Sequence, residues 1–445
     1  MTTPIADFVR AYADSDSSRF HMPGHKGTTF LGCETLDITE ISGADVLYSA
    51  NGIIEESEAN ASALFGSRYT LYSTEGSTLA IKAMLALIKK KAPNGTKILA
   101  ARNAHKAFIY ACALLDIEVE WLYPAESLHL CSCPIVPKEL DAILASAATL
   151  PSAVYITSPD YLGGVSDIKG LSEVCHRYGI PLLVDNAHGA YLAFTEPSMH
   201  PLSLGADMCC DSAHKTLPVL TGGAYLHVSK SFDYFDKAQI RAAMSLFAST
   251  SPSYLILQSL DLCNRYLADG YRKRLSTLIE RIKGLNRTLE QLGFKNESAE
   301  PLKLVFTKRS CNYSGLELAK AFKAFKIELE FRDEDNAVLM LSPELREKDL
   351  ERLLSALSSL QKRNTPTNAP QAPSIHRPVT LLSIRQAMLL PSETVLLKDA
   401  IGRVCAAPTV SCPPAIPVII SGELIDEHCA ELLEYYGIEK IDVVK

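Results

Sequence analysis

What the chain lacks narrows it first. No stretch approaches eighteen unbroken apolar residues, which argues against a helical membrane span. There is no basic surplus: 44 Lys and Arg stand against 51 Asp and Glu, a formal charge of −7. Neither nucleic acid nor an anionic membrane is therefore an expected partner. The early acids of "MTTPIADFVRAYADSDSSRF" and the missing apolar leader core predict no secretory signal. Twelve cysteines are scattered, including adjacent Cys209 and Cys210 and the Cys131-Ser-Cys133 pair, with no paired CxxC sets at zinc spacing. A disulfide scaffold is not expected at this length, so they read as reduced thiols of a cytoplasmic protein. His21 and His25 do not read as a metal pair, because Pro23-Gly24 between them forbids the helix that an i, i+4 pair needs. No metal site is expected, and no internal repeat is found.

What is present begins with size. With 445 residues, 47% of them apolar, the chain is long enough for two or three domains with a sizeable core. Its middle alternates strand and helix: "TKILAA" (96–101) before "FIYACALL", then "SAVYIT" (152–157) before "IKGLSEVCHRYG", then the continuous apolar run "IPLLVDNA" (180–187). Such runs read as buried parallel strands of a doubly wound α/β sheet. A long helical stretch over roughly residues 254–292 leads to a smaller α+β unit. That unit has strands at "LKLVFT", "IELEF" and "AVLMLS" and helices near 315–325 and 347–361. The Pro-, Asn- and Thr-rich "NTPTNAPQAPS" reads as a linker. The expected organisation is an N-terminal arm (1–36), a large domain (37–285), a small α+β domain (286–362), a linker (363–377) and a C-terminal domain (378–445).

In open α/β sheets, ligands bind beyond the carboxyl ends of the strands. Four such ends carry polar residues here. After "YTLYS" come Gly76, Ser77 and Thr78, opening a helix whose free N–H groups suit a phosphate. A plain N-cap at Ser77 or Thr78 is the competing reading. After "KILAA" comes His105, otherwise a surface histidine. "PLLVD" ends at Asp185, followed by Asn186 and His188; an ordinary helix cap competes at Asp185. "GADMCCDSAHK" brings Ser212, His214 and Lys215, where a lysine snorkelling to water competes. One cofactor uses all four ends. Pyridoxal 5′-phosphate needs a lysine for its aldehyde, a carboxylate for its ring nitrogen, a phosphate cup and a stacking face. Lys215 and Asp185 meet the first two needs. Gly76, Ser77, Thr78, Ser212 and His214 can form the cup, and His105 can supply the face.

These residues resemble the bacterial ornithine, lysine and arginine decarboxylases, pyridoxal phosphate enzymes of the aspartate-aminotransferase fold. The likeness runs from about residue 18 to 425 and includes "RFHMPGHKG", "RNAHK", "VDNAHGAY", "DSAHKTLPVLTGGAYLH" and "PPAIPVIISGE". It implies a Schiff-base role for Lys215, pyridinium pairing for Asp185, ring stacking near the reacting carbon for His105, and phosphate contacts for Ser77, Thr78, Ser212 and His214. His188 falls beside the ring, at a position where the family varies. The resemblance further implies a small cationic amino acid as substrate, with arginine favoured over lysine and ornithine. It implies a homodimer or homotetramer with the active site near the subunit interface. Two departures stand out. Glu75 precedes Gly76 where the family usually has Asn, placing a carboxylate beside an expected phosphate. Ala415 and Ser421 replace a Gly and a Pro of the family's tail segment. Two rivals remain open: another pyridoxal phosphate reaction, such as transamination with Arg332 binding the carboxylate, and a non-catalytic relative.

Overall fold

The structure, a computed structural model, describes residues 1–124, 129–363, 373, 377–410 and 415–445. The expected linker lies almost wholly outside the described residues, as do residues 411–414 of the proline cluster. The chain forms two compact units that are not consecutive stretches. One comprises Met1–Thr96, Pro137–Ser158 and Asp167–Lys273; the other comprises Lys97–Val136, Pro159–Ser166 and Arg274–Lys445.

Seven strands occupy the first half of the chain: β1 (Tyr69–Ser73), β2 (Lys97–Ala101), β3 (Glu118–Leu122), β4 (Ala153–Thr157), β5 (Leu182–Asp185), β6 (Met208–Asp211) and β7 (Ala224–Val228). The first unit holds β1, β7, β6, β5 and β4, in that spatial order. Within it β4, β5 and β6 pair in parallel, while β7 runs antiparallel to both β6 and β1. Two reversals leave β1 pointing the same way as β4, β5 and β6. The registers Thr157↔Asp185, Asp185↔Cys210, Asp211↔Tyr225 and Ser73↔Ala224 then bring four carboxyl ends to one edge. The continuous apolar runs have their reason in this placement, since all four residues of β5 and all five of β7 are buried. A parallel sheet covered on both faces leaves no position for alternation.

The N-terminal helix Pro4–Ala13 starts with Pro at its first position, where the missing N–H costs nothing. It is held by buried Asp261, whose Oδ2 accepts from the N–H groups of Ile5 and Ala6 at 3.0 Å each. The long helical stretch is two helices, Tyr254–Ala268 and Tyr271–Leu292, broken where Gly270 adopts φ +68°.

In the second unit, β2 and β3 pair in parallel. A three-stranded antiparallel sheet follows, with β8 (Lys303–Thr307) and β9 (Phe331–Arg332) flanking β10 (Asn336–Met340). The helices Gly315–Ala324 and Glu347–Ser358 accompany it, the former opened by a capping box between Ser314 and Glu317. The strand expected over "IELEF" is confined to its last residue and the next. Residues 327–329 pair with no strand, while the Glu330 N–H still reaches the Val338 carbonyl of β10 at 3.0 Å, and a cavity of about 390 Å³ is lined by Ile327–Glu330, Leu339–Leu341 and residues between Leu345 and Leu353. The tail pairs Ser392–Leu396 with Lys440–Val444 and packs the helix Glu427–Tyr435 into a core that includes Val305, Val338, Ile419 and Leu433. Eleven described cysteines are free thiols, ten of them buried and Cys33 partly so. Among the described residues no helix is long and apolar enough to cross a membrane.

Candidate active site

Three polar segments of the first unit stand at the shared sheet edge. The helix Gly76–Lys91 leaves β1 through a turn in which Gly76 adopts φ +69° and donates its N–H to the carbonyl of Gly222 at 2.7 Å. A left-handed backbone at this point favours glycine. Glu75 is the N-cap residue, with no side-chain cap, so Ser77 and Thr78 are not caps but lie in the first turn. Their N–H groups belong to the set that a helix start leaves without intrahelical partners. Ser212 donates its hydroxyl to Ser77 Oγ at 2.9 Å, tying the end of β6 to this turn. Glu75 turns elsewhere: its Oε1 accepts from the N–H of Ser249 at 2.7 Å. Three lysines close the helix at its other end, matching its dipole.

Asp185, only 3% exposed, ends β5. It caps no helix. Tyr155 donates to Oδ2 at 3.3 Å, while the Ala187 N–H at 3.1 Å and the Cys210 thiol at 3.5 Å reach Oδ1. Next in sequence, Asn186 donates to Asp211 Oδ1 at 2.6 Å. His188 is buried, and its Nε2 lies 2.9 Å from Lys215 Nζ. Lys215 stands on the short helix Ala213–Thr216 and is partly buried. His214, on the same turn, has Nδ1 2.9 Å from the Gly223 carbonyl, which fixes that nitrogen as the hydrogen-bearing one.

Sequence reasoning missed what lies beneath these segments. Asp211, fully buried, accepts from Asn186, from His200 Nε2 at 3.0 Å and from His227 Nε2 at 3.1 Å. Thr70 Oγ1 lies 2.8 Å from His227 Nδ1. Burial alone would raise the Asp211 carboxyl, but the two imidazoles hold it far below the usual carboxylate range. His200, Cys209 and Asp211 also bring ligand-type atoms within 4.8 Å of one another, though the carboxylate is already engaged by three donors. A signal existed: a histidine inside the wholly apolar strand "AYLHV" needs a buried partner.

His105 belongs to the second unit. It is the N-cap of the helix Lys106–Leu115, its Nδ1 accepting from the Ala107 N–H at 3.1 Å, so the ring hydrogen sits on Nε2. Before it, buried Arg102 donates to the carbonyls of Pro417 and Val418 and to Glu423. Lys106 N–H reaches the carbonyl of Ala415 at 3.1 Å. Ala415 itself holds φ +58°, a backbone that glycine adopts more readily, and the buried Ser421 hydroxyl has no hydrogen-bond partner among the described residues. Arg332 is exposed on β9.

Comparison with known proteins decides the family. The model of "Orn/Lys/Arg decarboxylase, major domain" matches residues 3–310, and that of its C-terminal domain matches residues 383–440. The chain belongs to the Orn/Lys/Arg decarboxylase family. Uncharacterized protein YaaO of Bacillus subtilis (strain 168) is 32% identical, over 97% of this chain and 94% of that one. The arginine decarboxylase of the same organism is 27% identical, over 96% and 92%. The solved constitutive lysine decarboxylase of E. coli shares the fold with a TM-score of 0.78 at 17% identity, covering 100% of this chain and 82% of that one. The protein is accordingly a pyridoxal phosphate-dependent decarboxylase of the α/β class, with a mainly parallel central sheet and a separate C-terminal domain. The donor set at the sheet edge suits the groups of that cofactor. It offers an amine for an aldehyde, a buried carboxylate for a ring nitrogen, and a helix start with paired hydroxyls for a phosphate.

Proposed function

We propose that this enzyme decarboxylates a basic amino acid, arginine ahead of lysine or ornithine, with Lys215 holding the cofactor. The observation that carries the reading is the placing of the Lys215 amine, the Asp185 carboxylate and the Ser77–Ser212 hydroxyl pair at one sheet edge. Arginine is favoured because relatives matched along nearly the whole chain are named arginine decarboxylases. The 24% identical relative named constitutive lysine decarboxylase matches a smaller part.

Bound pyridoxal phosphate supplies an electron sink for the pair released as carbon dioxide leaves. The chain's residues prepare the rest. Asp185, oriented by Tyr155, Cys210 and the Ala187 N–H, would keep the ring nitrogen protonated. Gly76, Ser77, Thr78, Ser212 and His214 hold the phosphate. His214 already spends its Nδ1 hydrogen on Gly223, so it donates to phosphate through Nε2 only as the imidazolium. His105 would offer its ring face to the cofactor, its Nδ1 being used by the cap bond. His188, in contact with Lys215, would lie close to the bound cofactor. In this reading a second copy of the chain would complete the entrance near the "HMPGHKG" segment, and cysteines without disulfides support a cytoplasmic location.

The test offers the cofactor-loaded protein an equimolar mixture of arginine, lysine and ornithine. Mass spectrometry then follows agmatine, cadaverine and putrescine. Agmatine is expected to dominate, and Lys215→Ala to reduce it to background. Cadaverine or putrescine in its place would revise the substrate. No amine from a protein carrying its cofactor would overturn the reaction.

A further inference from the structure

The contact between Lys215 and His188 says more than proximity. Their nitrogens are 2.9 Å apart, and His188 is buried. An ammonium and an imidazolium cannot share that distance without strong repulsion. One shared proton suits the contact: the lysine amine donates it towards the imidazole. The neutral imidazole then offers Nε2 as an acceptor.

We infer that His188 is the acid–base partner of Lys215, taking a proton from the ammonium whenever the lysine must attack an aldehyde. The inference rests on the reading of Lys215 as the cofactor-bearing amine. In the step, one N–H bond of Nζ breaks and one forms on His188 Nε2. The pair left on Nζ makes the new bond to the aldehyde carbon. The aldehyde oxygen leaves as water, carrying the proton parked on His188 and a second one from Nζ; the third stays on nitrogen.

The fold builds this distance through Asp211. Asn186, two residues before His188, is anchored to Asp211, and Lys215 stands four residues after it. The turn closes with the Gly189 N–H on the Asn186 carbonyl at 2.8 Å. A Cβ at Gly189 would come within 2.0 Å of Asn186 Oδ1. Glycine there lets the asparagine reach its anchor while the histidine faces the lysine.

The experiment adds pyridoxal phosphate to protein freed of cofactor and follows covalent capture by absorbance. Borohydride reduction and peptide mass spectrometry then locate the label. His188→Gln, which accepts a hydrogen bond but no proton, is expected to capture at least tenfold more slowly than wild type at pH 7. The gap should narrow steadily towards pH 10, where a growing share of the lysine amine is unprotonated without help. Added imidazole should restore His188→Gly at pH 7. Wild-type rates in His188→Gln at pH 7 would overturn the inference. So would a deficit that persists at pH 10 and ignores imidazole, which marks a role in shape alone. Failure of wild type to label Lys215 would instead remove the parent reading, and this inference with it.

Discussion

Asp211 holds three buried donors at once. Burial pushes His227 down, so this ring faces the carboxylate as a neutral donor even though the charge of Asp211 draws it the other way. Removing the carboxylate strands the Asn186 amide and both imidazole N–H groups in a dry interior. Asp211→Ala should therefore cost about 3–5 kcal/mol, read as a lowered urea midpoint at unchanged slope. Asp211→Asn, which keeps one acceptor, should cost less. Both variants should slow cofactor capture, because the turn carrying His188 loses its anchor. Glu75 shows the opposite case. It looked hostile to a phosphate, but its carboxylate is engaged by the backbone of Ser249.

At the scale of elements, the N-terminal helix is clamped by one carboxyl whose protonation varies near neutrality. Burial raises Asp261 to about 6, against 3.8 ordinarily, outweighing the donors Ser57, Ala6 and Ile5. The folded state thus binds more protons than the unfolded one between about pH 4 and 6, and stability from this group falls as pH rises through that window. Calorimetric scans should show the difference in melting temperature between wild type and Asp261→Asn shifting against wild type from pH 4 to pH 6. The main elements around the site were legible because buried parallel strands write themselves as short apolar runs ending in polar residues. Lys215, Asp185 and Ser212 could be placed at strand ends for that reason. The "IELEF" strand could not be read correctly, since alternation records a suitable pattern and not whether a neighbouring strand stays alongside. His105 has a further role that residue type alone does not announce: its Nδ1 accepts from the Ala107 N–H and so caps a helix. The Asp211 network was hinted at only by His227 inside an apolar strand. Its members lie at 186, 200, 211 and 227; the sheet registers bring three of these positions together, and His200 joins them from the turn before β6.

At the scale of the molecule, the segment before the first large-domain helix leaves apolar side chains in water. Phe20 is 96% exposed, Leu31 89%, Phe30 77% and Met22 66%. Single exposed apolar residues are ordinary, but four within twelve positions mark a surface made to be covered. A second copy is the expected cover. Sedimentation velocity on the loaded protein should give a dimer or tetramer, and Phe20→Ser combined with Phe30→Ser and Leu31→Ser should shift it towards monomer. A wild type that sediments as a monomer at high concentration would leave this surface without its proposed role.

The distribution of sulfur gives the folded chain a clock. Ten described thiols are sealed inside and Cys33 is only partly so. Among the described thiols, an alkylating reagent meets Cys33 first and reaches the others only when a region opens. The order in which mass increments accumulate then records which parts of the molecule breathe first.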